Sequence, residues 1–241
     1  DNLQILVLAI TLLIPIFNFF ILFKILTKKF KFHDHQEDLH LGILVFSITL
    51  VFYFFILSDE SFSSVFLSVA SSISTSGIST HSSDLDVSLF FILLTIIGGS
   101  LISVSSGFKY IRFYILLKIS YQEIYRLVKP INIFNRNLFN SDVQVNDEDL
   151  KIVFLVFISF IVAMFVLSGL LTLDNLSFEN SFKLSILTLT NTVTSSLYGM
   201  SDINFLNLNY LSKIALMIFM IFAKIEIIAV LFLIKKFIFK G

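Results

Sequence analysis

Residues 60–80 read ESFSSVFLSVASSISTSGIST, and this stretch decides how the rest of the chain is interpreted. It is rich in serine, carries a single glycine near its end, and lies between two long apolar runs. It is too short and too polar to cross a bilayer, which takes about 20 apolar residues in a helix. We therefore expect it to enter the membrane and return, because irregular backbone at that depth is tolerated only where it is buried in protein or lines water.

The order of residues in this stretch predicts a short helix followed by an extended Ser-Thr-Ser-Gly segment. That order is typical of an ion filter, in which backbone carbonyls replace the hydration shell of an ion. Gly77 would give the chain the positive φ that such a segment needs.

The composition predicts a membrane protein. Hydrophobic residues make up 56% of the 241 residues and phenylalanine occurs 30 times, and the mean hydropathy of +0.93 is far above that of a soluble domain. The chain has no cysteine, which excludes a disulfide framework and a cysteine-based metal site. No nucleophile, base and acid lie at a common depth, so we expect neither an enzyme nor an organic cofactor, and no binding of nucleic acid.

Five apolar segments have spanning length and predict an all-α membrane protein: 3–26, 41–57, 85–119 (interrupted), 150–173 and 210–234. The pattern Ser61-Phe62-x-x-x-Phe66, which lies between two of these spans, recurs as Ser177-Phe178-x-x-x-Phe182 between two others. It indicates a repeated unit of span, short re-entrant pore helix, filter-like loop and span. We expect two complete units and one preceding span; a chance match between two serine-containing loops is the alternative.

Lysine and arginine cluster after the first, third and fifth spans, whereas the opposite ends carry acidic residues. By the positive-inside rule the basic ends are cytoplasmic. We expect a multi-pass protein of the cytoplasmic membrane, with Asp1 outside, Gly241 in the cytoplasm, and an acidic outer vestibule that concentrates cations. No basic region precedes the first apolar run, so we predict no signal peptide and expect the chain to start inside a longer protein or after a removed segment.

The third span is interrupted by GGSLISVSSG at residues 98–107, which holds three glycines and four serines. These residues form helix poorly, glycine by about 1 kcal/mol against alanine. The segment is either a small-residue face for close helix packing or a flexible gate loop beneath the filter.

Four stretches in order resemble motifs of the Trk/Ktr/HKT superfamily of potassium transporters, in its bacterial Trk branch. IGGSLISVSSGFKYIR at 97–112 is similar to the Gly-rich broken helix of that family, and STSGIST at 74–80 is similar to its filter pattern. EIYRLVKP at 123–130 resembles its connector, and AKIE at 223–226 resembles the Gly-Arg-Leu-Glu of its last span.

The resemblance implies a pseudo-fourfold cation pore built from four such units around one ion path. This chain would then hold the closing span of the second unit at 1–32, the third unit at 33–129, a cytoplasmic connector at 130–149 and the fourth unit at 150–241. The implied partners are a missing N-terminal half or a partner chain that completes the pore, a second copy in a dimer, membrane lipid, and cytosolic nucleotide-binding regulatory subunits.

The resemblance also implies potassium uptake, with K+ as the permeant ion, Na+ as the alternative, and no other metal. The implied filter residues are Thr75, Ser76, Gly77, Thr192, Val193 and Thr194. The implied gate lies where Lys224 meets the loop residues Gly98, Gly99, Ser103, Ser105, Ser106 and Gly107.

The second filter loop departs from the family pattern. The Ser-Phe register places Val193 opposite Gly77, whereas alignment on the family's Asn-x-Gly places Thr194 or Ser195 there, and neither register gives glycine. A left-handed conformation costs a non-glycine residue about 1–2 kcal/mol. We therefore expect this loop to relax and potassium selectivity over sodium to be weak; a degenerate, non-conducting relative with a structural or regulatory role is the alternative.

Lys224 lies inside the last span, where an ionisable group costs about 2.5–3.5 kcal/mol on insertion scales. We predict that its ammonium donates to freed carbonyls and serine hydroxyls of the 98–107 loop and repels cations when the gate is closed. The alternative is a structural ion pair or a lysine that reaches the inner surface. Glu226, on another helix face, would support packing. The family has arginine in place of Lys224, so this chain keeps the positive charge but lacks the planar guanidinium group with its paired donors.

A cluster of histidines and acids lies between the first two spans, at His33, Asp34, His35, Glu37, Asp38 and His40. It could hold a divalent metal. Because the ligands are adjacent in sequence, we favour a solvated loop or a helix start, where acids stabilise the N-terminus.

The orientation is testable with single cysteines, because the chain has none of its own. A cysteine at Asp84 should react with an impermeant thiol reagent added outside cells, whereas a cysteine at Lys236 should not. Equal reactivity at the two positions would contradict the assignment.

Overall fold

The computed structural model describes residues 2–27, 35–80, 85–128, 139, 145–174, 176–200, 203 and 205–225. This part of the chain is helical and contains no named strand. Its α-helices are α1 (Asn2–Leu13), α2 (Phe19–Leu26), α3 (Gln36–Val51, continued by the π-helix Phe52–Ile56), α4 (Phe62–Ile73), α5 (Leu85–Ile96), α6 (Tyr110–Val128), α7 (Asp147–Thr172), α8 (Phe178–Leu189) and α9 (Tyr210–Ile225). Short 3-10 helices lie at Ile14–Ile16, Ser196–Tyr198 and Phe205–Asn207.

Two helices in the described residues are long and apolar enough to cross a membrane, Gln36–Ile56 and Asp147–Thr172. They match the predicted second and fourth spans. The predicted third span is divided into α5 and α6 by residues 97–109, where the Gly/Ser run predicted an interruption. Of the predicted fifth span, α9 covers the first part, and 226–234 with Glu226 lie outside the described residues.

The predicted first span, residues 3–26, is divided into two α-helices. Pro15 lies in the 3-10 helix Ile14–Ile16, and Phe17 follows in an extended conformation with ψ of 164°. Proline has no N–H and its ring clashes with the preceding turn, so an α-helix cannot continue through it unchanged. The chain re-enters helix at α2, where Asn18 Oδ1 accepts a hydrogen bond from Phe20 N at 3.0 Å.

The fourth predicted span begins earlier than its apolar residues suggest. Its helix, α7, starts at Asp147 with three acids in its first turn. Asp149 Oδ2 accepts a hydrogen bond from the backbone N–H of Asn146 at 3.2 Å. Acids at a helix N-terminus accept hydrogen bonds from free N–H groups, and their negative charge is attracted by the positive end of the helix dipole.

Helices α4 and α8 are the two short helices that the Ser-Phe repeat predicted, each with 12 residues. The side chains of Ser61 and Ser177 cap them by accepting from Ser64 N and Asn180 N, each at 3.3 Å. α4 packs between α1, α3 and α5, and α8 packs between α7, α5 and α9.

The serine-rich α4 is nearly all buried. Its hydroxyls donate to its own backbone, for example Ser68 Oγ to Ser64 O at 3.0 Å and Ser72 Oγ to Ser68 O at 2.8 Å. A buried hydroxyl costs free energy only when it lacks a partner. Self-bonding therefore lets this polar helix be buried, with its own Val65 in one apolar cluster with Ile16 and Phe91.

The break after α1 and the break after α5 bind each other through their backbones. Ser100 N donates to Ile16 O at 2.9 Å, Val104 N to Pro15 O at 3.2 Å, and Phe19 N to Ile102 O at 3.1 Å. Each break exposes donors or acceptors that a continuous helix would satisfy, and buried backbone groups need partners. Each irregular segment thus completes the other.

Two acids in the first turn of α3 hold the same breaks. Glu37 Oε1 accepts from Leu101 N at 2.9 Å, and Asp38 Oδ1 accepts from Asn18 N at 2.8 Å. Asp38 is buried and its other oxygen lies 3.5 Å from His35 Nδ1.

The His/Asp/Glu cluster is therefore a helix start, as favoured above, but a buried one rather than a solvated one. His40 stacks on Phe139, with ring centroids 4.8 Å apart. Within the described residues no group of three or more histidines and acids could hold a metal ion, and His33 and Asp34 lie outside them.

Removing the Asp38 carboxylate should destabilise the fold. Asp38→Ala leaves the half-buried Asn18 N–H without its partner, and an unsatisfied donor costs up to about 1–3 kcal/mol when it is fully buried. The midpoint of thermal unfolding in detergent should fall by several degrees. Asp38→Asn keeps an acceptor oxygen and should lose much less, and an equal loss in both variants would contradict the hydrogen-bond explanation.

Candidate functional site

The loop after α4 begins with a left-handed residue. Thr75 has φ of 60° and Gly77 has φ of 73°. Thr75 N donates to Ser72 O at 3.1 Å and Ser76 N donates to Ser71 O at 3.0 Å, so the helix ends by turning back on its last carbonyls. The positive φ expected of Gly77 is present.

The loop after α8 begins in the same way. Asn191 has φ of 51°, Asn191 N donates to Thr188 O at 3.1 Å, and Thr192 N donates to Leu187 O at 2.8 Å. With Ser61 matched to Ser177, Thr75 falls on Asn191 and Gly77 falls on Val193. The helix ends coincide in this ungapped register, so Val193 occupies the position of Gly77.

The two loops separate in conformation at that position. Among the described residues, the non-glycine residues with positive φ are Thr75, Phe139 and Asn191, and Val193 is not one of them. The side chain of Val193 is 64% exposed. Because a branched side chain cannot adopt the Gly77 conformation cheaply, the second loop follows another path.

The loops touch each other where they differ. A Cβ atom added to Gly77 would clash with the carbonyl oxygen of Val193. Further along, the hydroxyl oxygens of Ser79 and Ser196 are 3.5 Å apart. The six residues predicted as filter therefore lie in two adjacent loops, each at the C-terminus of a short buried helix.

The segment 97–109 forms a closed loop between α5 and α6. Gly98 N donates to Phe108 O and Phe108 N donates to Ile96 O, both at 2.9 Å. Gly99 N donates to Ser105 Oγ at 2.8 Å, and Gly107 has φ of 87°. A Cβ on Gly98 would clash with Ser106 O, so the glycines allow the two ends of the loop to meet.

Two lysines hold this loop. Lys224 of α9 donates through Nζ to Val104 O at 3.1 Å and to Ser106 Oγ at 3.4 Å. Lys109 donates to Ser103 O and Ser103 Oγ, each at 3.1 Å, and to Ser105 O at 2.8 Å. The predicted contact of Lys224 with the loop is thus present at Ser106, whereas Ser103 and Ser105 are bound by Lys109.

Sequence reasoning missed Lys109, although it lies in the quoted motif GFKYIR. It also missed the contact of Glu37 with the same loop, in which Glu37 Oε1 accepts a hydrogen bond from Leu101 N. The signal for Lys109 was its place directly before α6, within reach of the carbonyls that the broken helix frees.

A cavity of about 290 Å³ lies between this loop and the helices around it. Its walls include Ser106 and Lys109 of the loop region, Phe160 of α7, Leu189 at the end of α8, and Lys224 of α9. The volume exceeds that of several water molecules, each about 30 Å³ in the liquid. The cavity lies between the end of α8 and the loop and has room for several water molecules.

No protein-family model matches this chain, and no curated protein matches it. Among solved structures, the crystal structure of the potassium transporter TrkH from Vibrio parahaemolyticus matches with a TM-score of 0.80 and 20% sequence identity. The match covers 97% of this chain and 52% of that chain, so this chain spans about half the length of TrkH.

The chain has a TrkH-like fold. At this identity the likeness shows the fold and not the activity. The Trk-like helical architecture expected from the four motifs is thereby confirmed. The pseudo-fourfold arrangement, the filter and the gate stay predictions.

Gly77→Ala should disrupt the contact between the two loops. It adds a methyl group against the Val193 carbonyl and forces a left-handed conformation that costs about 1–2 kcal/mol by itself. The thermal midpoint in detergent should fall clearly. Gly169→Ala in α7 is the control, because a Cβ there meets nothing within 4 Å and alanine favours helix by about 1 kcal/mol. A neutral Gly77→Ala would show that the loops are not packed as described.

Proposed function

We propose that this chain forms part of a membrane pathway for monovalent cations, with potassium uptake as its function. The observation that carries the proposal is the pair of adjacent, glycine- or valine-containing loops that follow capped short helices in a TrkH-like fold. TrkH is a potassium transporter, and the same loops were predicted as filters from sequence.

The two short helices favour a cation at the loops. A helix C-terminus carries about half a negative charge, and α4 and α8 both end where the loops begin. Carbonyls of Thr75, Ser76 and Gly77 and of Thr192, Val193 and Thr194 would replace water around a dehydrated ion. The Gly77 loop supplies the regular half of this site and the Val193 loop an irregular half.

The 97–109 loop is the proposed gate. Its position is set by Lys109, Glu37 and Lys224, and the Lys224 contact comes from a helix other than those that flank the loop. The ammonium of Lys224 lines the 290 Å³ cavity and would repel an approaching cation. Release of Lys224 from Val104 and Ser106 would free the loop on one side and withdraw that charge.

A complete path needs more chain than the described loops provide. Two loops can surround an ion on two sides only, so the proposed pore is completed by a further half, a partner chain or a second copy related by twofold symmetry. Cytosolic nucleotide-binding subunits beneath the basic face and a cytoplasmic-membrane location with the C-terminus inside belong to the same proposal.

A second candidate function is a non-conducting, structural or regulatory relative of such a transporter. Val193 favours it, because the side chain replaces the glycine expected in a filter loop.

Potassium flux decides between them. Cells that lack their own potassium uptake should grow at low potassium when they express the protein, and liposomes holding the assembled protein should take up K+. We expect weak discrimination against Na+, because one of the two loops lacks its glycine. Flux carried by the isolated monomeric chain, or strong potassium selectivity, would contradict the assembly or the filter asymmetry respectively. Absence of flux from an assembled, folded protein would favour the second candidate.

Lys224→Gln should raise cation flux without changing the K+/Na+ ratio, because it weakens one restraint on the loop and removes a repelling charge. Lys224→Arg keeps the charge and should stay near the parent rate. Lys213→Gln is the matched control on α9, since Lys213 Nζ donates to Leu206 O at 3.0 Å, away from the loop. Lower flux in Lys224→Gln, with normal amounts of protein in the membrane, would show that the lysine supports the open path.

A further inference from the structure

Asn191 of the second loop forms a side-chain hydrogen bond to a neighbouring helix. Thr75, the matching residue of the first loop, forms no such bond within the described part of the chain. Its side-chain Nδ2 donates to the backbone oxygen of Met220, within α9, at 3.1 Å. The hydroxyl of Thr75, the equivalent residue, donates to the carbonyl of its own neighbour Ser74 at 2.7 Å. The second filter loop is thus tied to a long helix, and the first loop turns its polar side chain onto itself.

Met220 lies four residues before Lys224, one turn away in an α-helix. Lys224 in turn donates to Val104 and Ser106 of the 97–109 loop. A short series of contacts therefore runs from Thr192 through Asn191, Met220 and Lys224 to Ser106. It joins the proposed filter to the proposed gate through one helix.

The amide of Asn191 bridges the second loop and α9 beside a cavity. A cavity of about 210 Å³ lies between α8, the second loop and α9, with Thr192, Val193, Leu216 and Met220 among its walls. Close-packed surfaces would move together without a specific bond, whereas a seam with free volume transmits displacement through the contacts that bridge it.

We propose that Asn191 is a positioning residue that couples cation occupancy of the second filter loop to the position of Lys224. An ion that draws the carbonyls of Thr192–Thr194 inward shifts the adjoining Asn191, and its amide carries α9 with it. The inference rests on the proposed function, because it takes the loop as an ion site. Coupling of this kind is reciprocal, so release of Lys224 also changes the affinity of the loop for the ion.

The chain contains no cysteine, so one introduced cysteine reports on the gate directly. Ala223 lines the 290 Å³ cavity beside Lys224. In the full protein in membranes, Ala223→Cys should react with a small thiol reagent at rates that differ about fivefold or more between K+ and N-methyl-D-glucamine at equal ionic strength, as expected for ordinary coupling between sites.

Asn191→Gly, which accepts the left-handed conformation and lacks the amide, should bring this ratio to within about twofold, since one hydrogen bond of the usual strength is lost. Asn191→Asp tolerates the same backbone and lacks the donor, so it should give the same result if the glycine variant does not fold. Lys213→Gln is the control on α9, because it removes a side-chain hydrogen bond to Leu206 O and touches neither the proposed filter nor the proposed gate, and it should keep the parent ratio.

A parent ratio near one, a ratio preserved in both Asn191 variants, or an equal loss in Lys213→Gln would each overturn the proposal. Flux measured on the same samples separates this failure from failure of the proposed function. K+-dependent labelling that requires Asn191, in a protein without flux, supports the coupling and rejects conduction. Flux with labelling that ignores K+ rejects the coupling alone.

Discussion

The structure depends on one constraint, which is that every backbone N–H and C=O in a helix break must find a partner away from water. The first apolar segment is broken at Pro15 and the predicted third span at 97–109, and each break satisfies the other through the N–H groups of Ser100, Val104 and Phe19. Neither segment would keep its shape alone, because each would leave buried polar groups unpaired at a cost of about 1–3 kcal/mol apiece. The irregular centre of this protein is therefore a joint product of two distant parts of the chain.

Charged side chains bind backbone groups of the two breaks that have no backbone partner among the described residues. Glu37 and Asp38 accept the N–H groups of Leu101 and Asn18, and Lys109 and Lys224 donate to the carbonyls of Ser103, Ser105 and Val104. Such charged groups would be costly in an apolar core, but here each meets a group of opposite polarity. Lys224 comes from α9, a helix that flanks neither break, so its contact joins the last described helix to the loop.

Local features of the structure could be predicted from the sequence, whereas most contacts between distant parts of the chain could not. The Ser-Phe pattern and the glycines predicted α4, α8, the positive φ of Gly77 and the interruption near Gly98, because caps and glycine conformations are set by neighbouring residues. Pro15 is a local signal for the end of α1. Hydropathy does not show this break, because the residues on both sides are equally apolar. The roles of Glu37, Lys109 and Asn191 could not be read in advance. Their partners are fixed by how α3, α6 and α9 pack, and hydrogen-bond partners across helices leave no periodic trace in sequence.

The length of the two short helices has a consequence for biosynthesis. With 12 residues each and a rise of about 1.5 Å per residue, α4 and α8 are roughly 18 Å long, well short of a hydrocarbon layer about 30 Å thick. Neither is long enough to cross such a layer by itself, so each depends on the helices packed around it for burial. Within the described residues, each has its most extensive contact with a helix made earlier by the ribosome, α1 for α4 and α7 for α8. When each short helix is synthesised, the helix against which it packs most extensively has therefore already been made.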